Sequence, residues 1–272
     1  MIGDISVRIL QTDIAMVDTE AVVNAANTLS FTPMDGGVSG ALRNSCSPEK
    51  VTGMRKRWWD QKDKEHFDVQ LPSLQVGVQD SSGGLRDHGV RYVLHTVGPN
   101  WLDYPIADST FDDVLPLLKI AVQRALNVAA RLGVVSCSIP AVSGGIFTHW
   151  RSDSDIKQRE QCAARQTIVK AVFEWVLTHP ETSLTRIQLC DNDSKGIHMF
   201  VQAFDSETVE RQNRTNEAAD SALGLLCIAN TSSIEDSTAK HPVIATRISK
   251  FASNSSNQTT SSTARCINKN KK

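Results

Sequence analysis

Residues 34–45, MDGGVSGALRNS, place two adjacent glycines directly before a segment with a helical pattern. Gly36 and Gly37 have no side chain, so a ligand can approach their backbone closely. The first N–H groups of a helix have no acceptor within the helix. These amides and the helix dipole together attract an anion. The stretch therefore predicts an anion-binding helix start, with the hydroxyl of Ser39 beside it.

A second glycine segment, SGGIF at 143–147, directly follows the mostly apolar stretch VVSCSIPAV at 134–142. That stretch predicts a central strand covered on both faces. The first glycine segment likewise comes after a predicted strand, EAVVNAAN at 20–27. Taken singly, each segment is more typical of an ordinary turn. Because ligands of open α/β sheets bind beyond the carboxyl ends of the strands, the two together predict a cleft that holds a diphosphate.

Strands and helices alternate along most of the chain. Strands are predicted at 5–10, 20–27, 74–79, 90–97, 134–142 and 184–191, and helices after Gly36 and at 47–59, 112–133, 162–179 and 194–212. This alternation predicts an α/β sandwich with helices on both faces of the sheet. Pro116 is expected in the first turn of its helix, where a proline is tolerated.

The composition changes beyond about residue 213, and the end of the chain, 253–272, is polar and of low complexity. Such a segment buries too little apolar surface to fold alone. We predict one folded domain at 1–212 and a largely disordered Ser/Thr/Asn-rich tail at 213–272. An apolar island at 222–230 within the tail is open to two interpretations, a short docked helix or a partner motif.

Composition excludes several classes of function. The formal net charge is −1, and the six cysteines form no CxxC pair and no Cys/His cluster with zinc spacing. No apolar run approaches the roughly 18 residues that span a bilayer. We therefore expect an intracellular monomer, cytoplasmic or nuclear, with reduced cysteines. We expect no metal, no cofactor and no membrane.

Binding of ordinary nucleoside triphosphates and of nucleic acids receives little support. The sequence lacks GxxxxGK[ST], and it lacks GxGxxG in its first strand–helix turn. One basic segment, KVTGMRKRWWDQKDK at 50–64, keeps a nucleic-acid binder open. Acidic residues offset its charge, so a solvated helix face is the favoured interpretation, and we expect no nucleic-acid partner.

Four segments carry a resemblance to a known family: TDIAMVDTEAVVNAAN, GGVSGAL, RYVLHTVGPNW and IPAVSGGIF, in this order. Together they resemble the macrodomain family, the ADP-ribose-binding modules that include MacroD-type hydrolases and viral macrodomains, over roughly residues 4–210. The resemblance implies a three-layer α/β/α sandwich with a mixed sheet and a cleft for ADP-ribose. It also implies ADP-ribose or an ADP-ribosylated protein as the partner.

The resemblance assigns residue roles. Asp13 would accept the adenine amino group, and the N–H of Ile14 would face the ring. Asn27 would bind the distal ribose, with Asn24 bracing the loop and His95 packed in the core. The backbone set would be Gly36, Gly37 and Val38 along that ribose and the phosphates, and Ser143, Gly144, Gly145, Ile146 and Phe147 around the diphosphate, with Phe147 covering the distal ribose.

Several positions depart from the family pattern. MacroD-type hydrolases carry an aspartate where this sequence has Ser39, and a serine hydroxyl does not act as a general base at pH 7. Asp35 replaces a glycine, and LCDND at 189–193 lacks the aromatic residue that many members stack on adenine. The segment 148–161 is interpreted as an insertion forming a solvated loop near the cleft.

Two functions remain open for this cleft, beside the disfavoured nucleic-acid or poly(ADP-ribose) binder that would use residues 50–64. One is hydrolysis of mono-ADP-ribosyl bonds on proteins or of O-acetyl-ADP-ribose, with Asn27, Ser39 and Gly145 as the candidate catalytic positions. The other is a reader module that binds ADP-ribose without turnover. Hydrolysis is favoured narrowly, because viral members that also lack the aspartate include hydrolases.

Overall fold

The structure is a computed structural model that describes residues 5–26, 36–45, 74–145, 147–149 and 154–232, with side chains described as far as residue 217. The chain divides into two compact units, Met1–Thr215 and Asn216–Lys272. The described part of the second unit is the C-terminal end of a helix. The predicted helix at 47–59 and the basic segment at 50–64 lie outside the described residues.

A mixed sheet of six strands forms the centre of the first unit. The strands are β1 Ser6–Gln11, β2 Ala21–Ala26, β3 Val76–Asp80, β4 Tyr92–Val97, β5 Ser136–Pro140 and β6 Arg186–Asp191. Their order is β1-β6-β5-β2-β4-β3, with β3 antiparallel to β4 and all other pairs parallel. The predicted strands are confirmed, and the carboxyl ends of five of them meet at one edge of the sheet.

Five helices are described: α1 Gly37–Ser45, α2 Gly83–Asp87, α3 Ser109–Arg131, α4 Ser154–Thr178 and α5 Ser194–Ser232. Two 3-10 turns, Ile14–Met16 and Trp101–Asp103, follow β1 and β4. α2 lies between β3 and β4, where no helix is predicted from the sequence.

Three helix boundaries differ from the sequence predictions. α3 begins at Ser109 rather than at 112, so Pro116 lies in the helix interior and not in the first turn. α4 begins at Ser154, so much of the segment interpreted as a solvated loop is helical. α5 extends past the predicted end at 212 as far as Ser232. The division into a domain at 1–212 and a tail remains a prediction.

Alternation along the strands creates two hydrophobic faces. On β2, Ala21 and Val23 join a large cluster with Leu118 of α3, Ile168 of α4 and Phe200 of α5.

The intervening Val22 points to the other face. There it joins a second cluster with Leu42 of α1 and Leu85 of α2. Successive side chains of a strand point to opposite faces, so these clusters show helices on both sides of the sheet. The three-layer α/β/α prediction is confirmed.

β5 lies between β6 and β2, and all five of its residues, Ser136–Pro140, are buried. This confirms the prediction of a central strand covered on both faces. Among the helices in the described ranges, none combines the length and apolar character needed to cross a membrane.

Candidate functional site

A cleft of about 600 Å³ runs along the carboxyl edge of the sheet. It is lined by segments that follow each of the five parallel strands: Thr12–Ile14 after β1, Gly36–Ser39 on the chain after β2, Gly98 after β4, Ala141–Gly145 and Phe147 after β5, and Asp191 and Asn192 at the end of β6. The two glycine segments therefore line one cavity, as the sequence predicts. This position is where parallel α/β sheets bind ligands.

The first glycine segment forms the start of α1. Gly37 has a φ of +56°, a left-handed conformation that glycine adopts without the penalty that a side chain brings. The first intrahelical bond runs from Gly40 N–H to the carbonyl of Gly36 at 3.0 Å. The amides of Gly37, Val38 and Ser39 precede this bond and have no acceptor within the helix. Asn27, which is predicted to bind the distal ribose, lies outside the described residues.

The second glycine segment turns sharply after β5. Ser143 has a φ of 56°, which is uncommon for a residue other than glycine. The N–H of Gly144 donates to the carbonyl of Ala141 at 3.0 Å, so this amide serves the turn and is not available to a diphosphate. Within the described residues, the N–H groups of Gly145 and Phe147 have no backbone acceptor. Ile146 lies outside those residues.

Trp101 holds the second glycine segment in place through two hydrogen bonds. Its indole Nε1 donates to the carbonyl of Ser143 at 3.1 Å, and its backbone N–H donates to the carbonyl of Phe147 at 3.0 Å. The side chain is fully buried. Trp101 therefore fixes both ends of the predicted diphosphate loop.

A buried carboxylate holds the far side of the same loop. Glu160 of α4 accepts the backbone N–H of His149 at 2.7 Å, and its other oxygen lies 2.5 Å from Nδ1 of the His149 ring. Both side chains are buried. The sequence predicts a loop at Glu160, whereas in the structure α4 carries this residue and places it beside His149.

The end of the cleft beside β1 and β6 carries the charged groups. Asp13 is exposed, and its Oδ1 accepts the N–H of Ala15 at 2.9 Å and so caps the first 3-10 turn. Ile14 is buried beside it. The structure thus places both predicted adenine residues at the cleft. Asn192, the residue after Asp191, also lines this end, where the sequence lacks an aromatic residue.

A buried ion pair lies between this end and the second glycine segment. Nη2 of Arg165 donates to Oδ2 of Asp191 at 2.6 Å, and the two side chains are 7% and 12% exposed. Nη1 donates to the carbonyl of Gln161, whereas Nε has no partner among the described residues. Sequence reasoning missed Arg165, because a single arginine on an amphipathic helix carries no distinguishing pattern.

Ser39 is hydrogen-bonded to the interior of the fold. Its hydroxyl lies 2.8 Å from Oδ1 of Asn24, whose Nδ2 lies 3.0 Å from Nδ1 of His95. Nε2 of His95 lies 2.7 Å from Oε1 of Gln79. Burial lowers the pKa of His95 to about 4, so the ring is neutral at pH 7. These contacts agree with the predicted roles of Asn24 as a brace and of His95 as a core residue.

Metal and thiol chemistry find no support in the cleft. The residues that the structure describes contain no group of three or more His, Cys, Asp or Glu side chains placed to hold a metal ion. Cys190 lines the cleft, but burial raises the pKa of its thiol, so the reactive thiolate is disfavoured.

Comparison with known proteins agrees with this geometry. The family model described as Macro domain matches residues 23–154. An ADP-ribose glycohydrolase of Archaeoglobus fulgidus is 31% identical over 205 residues, which are 75% of this chain and 94% of that protein. The chain belongs to the macro domain family.

Other macro domain relatives are more distant or longer. An O-acetyl-ADP-ribose deacetylase of Cronobacter sakazakii is 26% identical over 178 residues, 64% of this chain and 81% of that protein. An uncharacterized protein of Thermotoga maritima is 30% identical over 200 residues, 73% of this chain. The match spans only 28% of the Thermotoga protein.

The fold is shared with a solved macrodomain of Oceanobacillus iheyensis, a mutant described with ADPR. The two structures superimpose with a TM-score of 0.58 at 21% identity, over 77% of this chain and 97% of the other. At this identity the likeness shows the fold alone.

Proposed function

We propose that the cleft binds ADP-ribose. The observation that carries this proposal is the meeting of two glycine segments, one on the chain after β2 and one after β5, in one cavity of about 600 Å³. Backbone amides at a helix start and in a turn are suited to phosphate oxygens. Two separate amide groups match a ligand with two linked phosphates.

The rest of the cleft matches the two ends of ADP-ribose. Asp13 is exposed at the β1–β6 end, and a carboxylate is an acceptor that suits the adenine amino group. Ser39 and Val38 lie at the other end, beside the start of α1, where the distal ribose would lie. The named activities of the Archaeoglobus and Cronobacter relatives support this choice of ligand.

We extend the proposal to hydrolysis, either of the ADP-ribosyl bond on a protein carboxylate or of the acetyl ester in O-acetyl-ADP-ribose. For the protein ester, water would form a bond to C1″ of the distal ribose as the bond from C1″ to the carboxylate oxygen breaks. The products are the free carboxylate, ADP-ribose and a proton. Among the described residues that line the Ser39 end, none has an ionisable side chain. The rate would therefore depend on positioning and on charge stabilisation by backbone amides.

A reader function is the second candidate, and Ser39 favours it. A serine hydroxyl does not remove a proton from water at pH 7, and positioned proton transfer contributes about 10²–10⁴-fold to rates. A protein with this cleft could therefore hold ADP-ribosylated protein without releasing it. The two candidates share the ligand and differ only in turnover.

Binding is tested with Gly145→Ala. A Cβ at Gly145 meets no atom of the described residues within 4 Å, so the fold accepts it, but the methyl group stands where the diphosphate is proposed to lie. We expect ADP-ribose to raise Tm in the wild type and to raise it much less in the variant. Gly133→Ala is the matched control. It lies before β5 at the opposite edge, and its φ of +66° predicts a lower Tm with unchanged binding. A wild type whose Tm does not respond to ADP-ribose would contradict the proposal.

Turnover is tested separately with an automodified mono-ADP-ribosyl protein and with O-acetyl-ADP-ribose. Release above the rate of a protein-free control selects the hydrolase. Binding by calorimetry without release selects the reader.

A further inference from the structure

Four side chains link the edge strand β3 to the cleft in one hydrogen-bonded row, which we call the Ser39 relay. In order it contains Gln79 on β3, His95 on β4, Asn24 on β2 and Ser39 in the first turn of α1. The side chains of Gln79, His95 and Asn24 are buried. Ser39 is partly exposed and lines the cleft.

The relay has a direction. Nδ2 of Asn24 carries only hydrogens, so it donates to Nδ1 of His95, which must carry a lone pair. The neutral ring then has its hydrogen on Nε2, which donates to Oε1 of Gln79. The low pKa of His95 agrees with this neutral form.

The direction determines the hydrogen of Ser39. Oδ1 of Asn24 carries only lone pairs, so Ser39 donates to it at 2.8 Å. The other neighbour of this hydroxyl, the carbonyl of Ala25 at 3.4 Å, is also an acceptor. A hydroxyl has one hydrogen and two lone pairs, and here the hydrogen is directed into the fold. Ser39 therefore presents lone pairs to the cleft.

We propose that Ser39 is a positioning residue that accepts a hydrogen bond from an O–H group in the cleft, and that Gln79, His95 and Asn24 fix it in this role. The O–H group belongs either to the distal ribose or to the attacking water. An ionised carboxylate is likewise only an acceptor. The relay thus gives a neutral serine the hydrogen-bonding property of the aspartate that MacroD-type hydrolases carry at this position. The identity of the ligand in this inference rests on the proposed function. The direction of the hydrogen bonds in the relay does not.

The relay is tested without ligand by long-range ¹H–¹⁵N NMR of the histidine-labelled protein at pH 7, with His95→Gln used to assign the signal. We expect His95 to be neutral with its hydrogen on Nε2. A hydrogen on Nδ1, or a charged ring, would reverse the direction of the relay and overturn the inference.

The role of Ser39 is tested with Ser39→Ala and Ser39→Thr, with Asn44→Ala on the exposed side of α1 as the control. Loss of one hydrogen bond changes a binding or rate constant by about two- to tenfold. If the partner is a ribose hydroxyl, Ser39→Ala weakens ADP-ribose binding by this factor. If the partner is water, kcat falls by this factor and Kd is unchanged.

In either case Ser39→Thr should recover most of the loss, because it restores the acceptor. Equal Kd and kcat in Ser39→Ala and the wild type would refute the role. A wild type that neither binds nor turns over ADP-ribose compounds would instead refute the proposed function, and with it the ligand part of the inference. The NMR result would then still decide the direction of the relay.

Discussion

Gly98 illustrates how a single residue shapes the cleft. A Cβ built at this position would lie 2.3 Å from Oγ of Ser143 and 2.8 Å from Cγ1 of Val142. The chain after β4 therefore packs directly against the second glycine segment, and only glycine fits. We expect Gly98→Ala to lower the free energy of unfolding by about 1–3 kcal/mol, as overpacking does. Urea denaturation measures this change, and Gly145→Ala, with open space around its Cβ, should show little of it. Equal stability of the two variants would contradict the packing.

The buried ion pair beside the cleft gives a second prediction at the residue scale. Asp191→Asn would leave the guanidinium of Arg165 buried without a counter-charge, and breaking such a pair costs about 3–5 kcal/mol. Asn keeps one acceptor oxygen, so we expect the free energy of unfolding to fall by about 3 kcal/mol, at the low end of this range, as measured by urea denaturation. The control is Asp108→Asn, because the Arg159–Asp108 pair is 61% and 86% exposed. Exposed pairs contribute about 0–1 kcal/mol. A loss in Asp191→Asn no larger than in the control would count against a buried charge.

α3 carries a prediction at the scale of the element. Pro116 is exposed in the interior of the helix, where it lacks an N–H donor and crowds the carbonyl of Asp112. We expect Pro116→Ala to stabilise the protein by about 1–2 kcal/mol, since the gain in the helix exceeds the entropy that alanine adds to the unfolded chain. Asp113→Ala, also exposed on α3, is the control and should change stability by less. A destabilised Pro116→Ala would show that the helix is adapted to its proline.

The elements were more predictable than their ends. The strands could be recognised because β-branched and apolar residues cluster between turn residues, as in Val90–Val97, and because strands are short. The start of α4 was missed because its first turns are polar and carry no apolar period. The end of α5 was missed because residues 213–221 are mostly polar and because the apolar residues 222–230 were equally compatible with a separate short helix. Both errors occur where tertiary packing or helix propagation, rather than local pattern, sets the boundary.

The site was predictable where backbone forms it and not where side chains from distant elements meet. Gly36, Gly37 and Gly144 could be placed at the cleft because both glycine segments follow predicted strands, and ligands of open α/β sheets bind beyond the carboxyl ends of the strands. Arg165 and Gln79 could not, because their roles arise from contacts with Asp191 and His95 across the sheet. Such contacts have no signature in a single sequence.

At the scale of the whole molecule, His95 links stability to pH. Its pKa is about 4 in the folded protein and near 6.5 when unfolded, so the unfolded chain binds a proton first as the pH falls. The free energy of unfolding should therefore fall between pH 6.5 and pH 4 through this residue. Between pH 7 and pH 5 the loss is about 2 kcal/mol. His95→Gln should remove this part of the pH dependence in urea denaturation, whereas His88→Gln, at an exposed position, should retain it. A His95→Gln variant with the wild-type pH dependence would contradict the buried neutral ring.

The division of the chain into two compact units allows a prediction of which residues are required for a folded, ligand-binding protein. α5 buries Phe200 and Ala203 in the large cluster, and Arg211 lies over the ring of Phe173, 5.2 Å from its centroid. Residues 212–217 are exposed. A chain of residues 1–215 should therefore keep the Tm of the full chain within about 2 °C and its ADP-ribose affinity, because it loses no described core contact. A chain of residues 1–193, which lacks all of α5, uncovers the side of the large cluster that Phe200 fills and should fail to unfold cooperatively. Thermal melts followed by calorimetry with ADP-ribose compare the three chains. Loss of binding on removal of residues 216–272 alone would show that the second unit takes part in the site.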